Sequence, residues 1–475
     1  MKAQLLLGYQ FSLLSAKRAK IFNEAYSTNE PEVIECKKSR NPMDVDRKSA
    51  SSDEEKSYDS TISQSGDMSW QKATFVLLSE TIAIGVLSMP SACHRIGVVP
   101  AVITIVFLGV LAWRTGIVIG SFSKHHPQVR NFADAGAVMS TLLYRVFAAL
   151  LMLKGFFRMA SHISAGISAF TFFSNNTVCS TIFGIVIVII GFLLSIPRKF
   201  KHTSFVSLIG FICIVISCFL TLIGVAIERP QYGEVTWKAF NNPGLNDTVG
   251  AITDIIYGYS AHGSFFTFIS EMKGRSRDFK KSLTIVQTIS ISFYVVIGAG
   301  VYIIVGDQNV LSPALLIPHF KIATAAYVIA LPCIIISAVI QVLVTGKFVV
   351  TNCIDPTYLD SKTWKASWIW YTVVFGIWSI SFIISELVPF FNDLLSLTSS
   401  IEAVCLSYYA TSILWFYDNQ GRMFVNRWKI TMFLVAVISV ALGAVITPLG
   451  MATSIMSIAN GFKDGQFGLP FACKS

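Results

Sequence analysis

From position 73 to 451 this chain is a succession of apolar runs, and hydrocarbon about 30 Å thick is crossed by about 20 such residues in a helix. Eleven runs stand out: 73–89, 99–122, 146–173, 182–196, 205–227, 249–269, 283–305, 323–344, 368–388, 394–415 and 430–451. The fourth is the shortest, and the third is long and carries charge. Over 475 residues, 53% are hydrophobic, only 13% are charged and the mean hydropathy is +0.62. That balance leaves too little polar surface for a chain dissolved in water, so the expected solvent is a bilayer and the expected class is an all-α membrane protein.

The lysines and arginines orient the runs. With eleven crossings, one set of connections holds Lys124, Arg130 and Arg145, then Arg198, Lys199 and Lys201, then Lys273, Arg275, Arg277, Lys280 and Lys281, then Lys347, Lys362 and Lys365, then Arg422, Arg427 and Lys429. The other set holds only Arg95, Arg229, Lys238 and Lys321, with Lys463 and Lys474 in the last stretch. Positive residues collect on the cytosolic side, which puts the N-terminus inside and the C-terminus outside. The net charge of +10 then reflects loops facing anionic lipid, and nucleic acid is not an expected partner. Two glycosylation sequons, Asn175-Asn176-Thr177 and Asn246-Asp247-Thr248, both fall on the side this scheme calls outer. Residues 1–69 are rich in Ser, Lys, Asp and Glu and read as a disordered cytosolic tail, 70–461 as the membrane domain, and 462–475 as a short outer tail. The opening MKAQLLLGYQFSLLSAKRAK imitates a signal peptide, but Gly8, Tyr9 and Gln10 interrupt its apolar core.

Two of the runs break halfway at small and polar residues: SETIAIGVLSMP over 79–90 and DIIYGYSAHGSFFTFISE over 254–271. An interrupted helix at membrane depth must line a protein-walled cavity, because bare backbone in lipid costs several kcal/mol per group. Gly85 and Pro90 flank Ser88 in the first, and Gly258 and Gly263 flank Tyr259, Ser260, Ala261 and His262 in the second. A half-helix N-terminus suits a carboxylate, and unwound carbonyls suit an ammonium. An amino-acid zwitterion needs both. Each glycine alone would fit close helix packing, but breaks at matching places in two five-run halves point to a transporter's binding site.

The stretches ETIAIGVLSMPSACHRIGVVPAVI and HPQVRNFADAGAVM, with YSAHGSFFTFISEMKGRSRDFKKS and AAYVIALPCIIISAVI further on, resemble fungal members of the amino acid/auxin permease family, in particular its neutral amino acid permeases. The resemblance implies eleven helices in a five-plus-five inverted repeat of the leucine-transporter kind, with helices 1 and 6 broken and helix 11 added. Carried onto this chain, it places the substrate carboxylate at the amides of Ile84, Gly85, Val86, Leu87 and Ser88, and the amino group at carbonyls around Ala83 and over Tyr259, Ser260 and Ala261. Gly263 and Ser161 join the expected pocket. It also implies proton-coupled import; the chain shows no metal-ligand spacing and no CxxC, and no metal or cofactor is expected.

Ionisable residues at membrane depth are functional candidates by default. Glu80 stands one turn before the first break and His262 lies inside the second, and either could carry the coupled proton. Lys154, Arg158 and His162 recur at i, i+4 along one face of the third run. The two cations depart from the family pattern and need anionic partners among Glu80, Asp254, Glu386 and Glu402. Three roles stand open for them: a built-in replacement for a coupling cation, a change of substrate preference, and a structural ion pair. Trp70, Trp364, Trp368, Trp370, Trp415 and Trp428 fall near run ends, as an interfacial aromatic belt would. Cys93 and Cys179 could pair or remain free thiols. The function expected is a plasma-membrane secondary carrier for neutral amino acids. Its rivals are a vacuolar exporter, a non-transporting amino acid sensor, and an embedded acyltransferase using His262 as base.

Overall fold

The computed structural model describes residues 66, 68–175, 177–198, 203–388, 391–464 and 471. Residues 1–65, Asn176 of the first sequon and nearly all of the stretch past 464 lie outside the described residues, and with them the expectations placed there.

Among the described residues every element is helical apart from one isolated bridge between Met68 and Met272. A helix satisfies its own backbone, which is what a run without water requires. The first run forms α1 (Trp70–Ile82), a 3₁₀ turn (Gly85–Ser88) and α2 (Met89–Ile96). There follow α3 (Val98–His125), α4 (Phe132–Met139), α5 (Thr141–Phe173), α6 (Ser180–Leu194) and α7 (Thr203–Glu228). The second broken run forms α8 (Leu245–Gly258) and α9 (His262–Glu271). Next come α10 (Arg275–Val305), α11 (Phe320–Val349), the short α12 (Thr357–Asp360) and α13 (Trp364–Leu387). The tenth run is divided into α14 (Phe391–Thr398), two π-helical stretches (Ser399–Ala403 and Cys405–Ala410) and α15 (Thr411–Asp418), and α16 (Arg427–Lys463) closes the bundle. Among the described residues, eight helical stretches are long and apolar enough to cross a membrane, and α6 is a shorter apolar helix of 15 residues.

Helices outrun the apolar segments where polar residues still favour helix. α10 starts at Arg275 with Asp278 in its first turn, where the carboxylate faces the positive end of the helix dipole. The sequence reading contained no α4; its start is fixed by Asn131, whose side chain accepts from the Asp134 amide at 3.0 Å. α5, at 33 residues and about 1.5 Å each, is about 50 Å long and runs past both broken segments. It packs against α11, α13 and α14, while α10 packs against α1, α2 and α3.

Two expectations need correction. Trp364, Trp368 and Trp428 are 75%, 54% and 50% exposed, as an interfacial belt demands, but Trp370 and Trp415 are buried. The Trp370 indole donates to Ser195 O at 3.2 Å and Ile196 O at 3.1 Å, caps that close the end of α6, so this tryptophan packs inward. Cys179 is disulfide-bonded whereas Cys93 is a free, buried thiol, so they are neither a pair nor two free thiols.

Candidate functional site

Both runs are broken. α1 stops at Ile82, Ala83 leaves helical geometry at φ −30°, ψ −107°, and the chain rewinds at Gly85 as a single 3₁₀ turn. The interruption lies at Ala83 and Ile84, about a turn earlier than glycine and proline chemistry suggests. Pro90 sits in the first turn of α2, where its missing N–H costs nothing, so it starts the second half-helix without distorting the first. α8 ends at Gly258, and Tyr259, Ser260 and Ala261 make a tight turn before α9 begins at His262. The Tyr259 and Ser260 amides close back on Ile256 O and Tyr257 O at 3.0 and 3.2 Å.

The last carbonyls of a helix have no partner within it, and here three other helices supply one. Ser79 O accepts from Ser337 of α11 at 3.4 Å, Glu80 O from Arg158 Nη2 of α5 at 2.8 Å, and Thr81 O from the Tyr294 hydroxyl of α10 at 2.7 Å. Two of these donors also reach the second break. Arg158 Nη1 donates to the Ser260 hydroxyl and lies 3.4 Å from Ser260 O, and the Tyr294 hydroxyl lies 2.7 Å from Gly258 O. One guanidinium and one phenol therefore tie the two broken helices to each other.

The expected aqueous pocket between the breaks is closed in this structure. Ala83, Ile84, Ser260 and Ala261 are each no more than 2% exposed, and the side chains of Arg158, Lys154 and Tyr294 fill the space beside them. Toward one end, Arg95 of α2 meets Asp254 of α8 at 3.3 Å. Toward the basic end, the Met68 amide donates to Glu271 O and the Lys273 amide to Met68 O, each at 3.0 Å, and Lys347 Nζ reaches Glu271 Oε1 at 3.5 Å. A cavity of about 710 Å³ lies away from the breaks, among Phe122, His125, His126, Asp418, Arg422 and Lys429.

The stripe on α5 finds its anion in Glu80. Glu80 Oε1 is 3.8 Å from Lys154 Nζ and 3.7 Å from Arg158 Nε, and all three side chains are no more than 2% exposed. Lys154 Nζ also donates to Ser264 Oγ of α9 at 2.6 Å. Of the other acids considered, Asp254 pairs with Arg95 and accepts from Ser396 at 2.8 Å, and Glu386 accepts from Thr181 at 2.9 Å. Glu402, in the first π stretch, is fully buried, and neither carboxylate oxygen has a hydrogen-bond partner.

His262 is held at both nitrogens. Nε2 is 3.1 Å from Ala112 O and 2.9 Å from Thr115 Oγ1, and Nδ1 is 2.9 Å from Ser407 Oγ. A carbonyl only accepts, so Nε2 carries the hydrogen and the neutral ring is fully satisfied. Ser161 Oγ donates to Phe157 O at 3.1 Å and lies 3.5 Å from Thr398 Oγ1, which joins α5 to α14 beside the breaks. Gly263 faces Lys154: a Cβ there would stand 2.6 Å from Lys154 Cδ. His162, one turn beyond Arg158, is buried with Nδ1 unpartnered.

Sequence reasoning did not single out Tyr294, Thr115, Ser407 or Arg114. Tyr294 had a visible signal, since a tyrosine in the middle of an apolar run must find a hydrogen-bond partner for its hydroxyl. Arg114, whose guanidinium lies 4.7 Å above Trp113 and 4.9 Å above Trp428, had the same kind of signal, a charge inside the second run.

A bundle of membrane-length helices, with two of them interrupted back to back around buried charge, is the build of a transporter. The chain belongs to the family described as transmembrane amino acid transporter protein, whose model matches residues 66 to 456, a family of transporters and not of enzymes. It is 31% identical over 416 residues to the N amino acid transport system protein of Neurospora crassa, covering 86% of this chain and 88% of that one. A transmembrane transporter of Fusarium pseudograminearum is 23% identical over 415 residues, 86% and 87% of the two chains. Vacuolar amino acid transporter 6 of Saccharomyces cerevisiae is 22% identical over 264 residues, 52% of this chain and 58% of that one. Among solved structures, the Eremococcus coleocola manganese transporter superposes with a TM-score of 0.52 at 14% identity, covering 84% of this chain and 88% of that one, a likeness of fold alone.

Proposed function

We propose that this amino acid transporter imports neutral amino acids across the plasma membrane by proton symport and alternating access. The observation that carries the reading is the meeting of two interrupted helices whose freed main-chain groups are served by side chains and not by each other. Side chains can exchange places with a ligand, whereas a continuous helix offers it nothing. In this reading the bundle crosses eleven times as a five-plus-five inverted repeat plus a last helix, with the N-terminus cytosolic and the C-terminus outside. The substrate carboxylate meets the amides of Ile84 to Ser88, and its ammonium meets carbonyls at Ala83 and Tyr259 to Ala261, beside Gly263 and Ser161. In the closed arrangement Arg158 takes the Ser260 hydroxyl and lies 3.4 Å from its carbonyl, which leaves the carbonyls of Ala83, Tyr259 and Ala261 to the ammonium. The Arg95–Asp254 pair and the Met68–Glu271 strap then act as the outer and inner gates.

The relative named a vacuolar amino acid transporter favours a second reading, export from the vacuole by the same site. The membrane to which the tagged protein localises separates the two, and uptake of a radiolabelled amino-acid panel into proteoliposomes tests the first. Accumulation driven by an outward-acid pH gradient, strongest for neutral side chains, is the expected result. Transport indifferent to both pH and sodium gradients would overturn the coupling, and absence of counterflow would overturn the carrier.

A further inference from the structure

A buried carboxylate is costly unless paired, and Glu402 is the acid in this site that lacks a pair. It is fully buried, both Oε atoms are without a hydrogen-bond partner, and no cation lies within ion-pairing distance of it among the described residues. Leaving an ionised carboxylate in that state costs far more than leaving a neutral acid, whose unmet hydroxyl is a penalty of about 1–3 kcal/mol. The observed arrangement thus suits the protonated form. Glu402 also sits in one of two successive π stretches, Ser399–Ala403 and Cys405–Ala410, and such widened turns break the regular hydrogen-bond ladder and accompany functional sites.

The surroundings show what the deprotonated form would seek. From α5, Lys154 and Arg158 lie within electrostatic reach of Glu402, with His162 one turn further on; from α1 comes Glu80, from α8 Tyr257, and from its own run Cys405. Asp254 of α8 is engaged by Arg95, Asp393 of α14 accepts from Ser457, and the face of α16 over 430–462 has no ionisable side chain. The two cations are at present taken by Glu80, by Ser264 and by the carbonyls of the breaks. An ionised Glu402 would compete for them. Arg158 is the residue in contest: drawn to Glu402, it leaves Glu80 O and Ser260 O, and the tie between the two broken helices is undone.

We propose that Glu402 is the proton-carrying residue of this transporter, and that its protonation releases Arg158 to latch the two breaks shut. A proton passes from the water of the open side onto the Glu402 carboxylate and leaves to water on the other side, with no other bond made or broken. Closure around substrate is in this way conditional on a loaded proton. The inference rests on the proton-symport reading and reassigns the proton from Glu80, which is paired with two fixed cations, and from His262, whose ring is already satisfied.

Reconstituted full-length protein tests it by two assays side by side: accumulation of labelled neutral amino acid under a pH gradient, and counterflow at equal pH. Glu402→Gln, which imitates the protonated acid, is expected to lose gradient-driven accumulation while counterflow remains and its pH dependence flattens. Wild-type protein that ignores the gradient would sink the symport reading itself. A coupled wild type with an equally coupled Glu402→Gln would overturn the assignment to Glu402 and leave symport standing. Should Glu402→Gln fail to assemble, Glu402→Asp keeps a carboxyl at the site. A shifted midpoint in its uptake-versus-pH profile supports the assignment, and an unmoved profile refutes it.

Discussion

A Cβ placed on Gly85 would stand 2.7 Å from the Cα of Gly258, so the first interrupted helix touches the second backbone to backbone. Neither side of that contact is the end of a flexible side chain, and the strain of an added methyl has nowhere to go. Gly85→Ala is expected to destabilise the detergent-solubilised protein by about 1–3 kcal/mol, as overpacking does. Its uptake should fall more steeply than its expression. A thermal-shift measurement beside an uptake assay checks this, and a variant equal to wild type in both would show that the helices do not meet so closely.

The Glu80, Lys154 and Arg158 cluster makes a contrasting prediction about pairs. Removing Glu80 alone leaves Lys154 and Arg158 as buried cations without the carboxylate they share, and breaking a buried pair from one side costs about 3–5 kcal/mol. Glu80→Gln should therefore be worse than Glu80→Gln combined with Arg158→Met, since Arg158→Met removes one of the stranded cations. Arg158→Lys should recover little, because one ammonium cannot span Glu80 O and Ser260 O as the planar guanidinium does. Melting temperatures of the three variants read the comparison; a double variant no better than the single would remove the ion pair from the structural account.

How much of this was legible beforehand follows from which forces act locally. The apolar runs were plain because hydrocarbon imposes length and composition on any helix that crosses it, and each run is helical over most of its length. The breaks were plain for a related reason, since glycine, serine and proline weaken the same backbone ladder wherever they fall. Their exact seat was not: the chain turns at Ala83, where the side chains of Ser337, Arg158 and Tyr294 supply the carbonyl partners that a continued helix would have used. Those donors come from three other helices, and spacing along the chain has no access to them. The same limit hid the choice of Glu80 among four acids, and the burial of Trp370 against the end of α6. Tyr294 was legible in principle, as a hydroxyl stranded in an apolar run.

His262 provides a control for the proton path. Its two nitrogens are occupied by Ala112, Thr115 and Ser407, joining α9 to α3 and to the second π stretch, so its role in the closed form is to hold helices together. His262→Gln should lower stability by about 1–3 kcal/mol through partners left unmet. It should still accumulate substrate under a pH gradient. Loss of gradient-driven accumulation with counterflow intact would return the proton to the histidine.

Away from the breaks, Asp307 governs an acid sensitivity of its own. It lies in the loop after α10, where burial raises the carboxyl pKa but the Tyr302 hydroxyl, Lys238 and His94 outweigh that and hold it below the usual carboxylate range. The Asp307 amide and the Lys238 amide tie this loop to the segment that braces the turn between α2 and α3, through Thr236 O and the Tyr302 hydroxyl. A carboxylate whose pKa is lower folded than unfolded adds stability that is fully present above about pH 3.9, its unfolded value, and is lost as pH falls through the folded value. Wild type should therefore be more stable than Asp307→Asn at neutral pH, and the gap should narrow only once the pH drops below about 4. Melting curves of both proteins from neutral to acid pH decide it. A gap that stays constant into strong acid would mean that Asp307 contributes through its shape and hydrogen bonds, because a contribution from charge must vanish when the carboxyl takes up its proton.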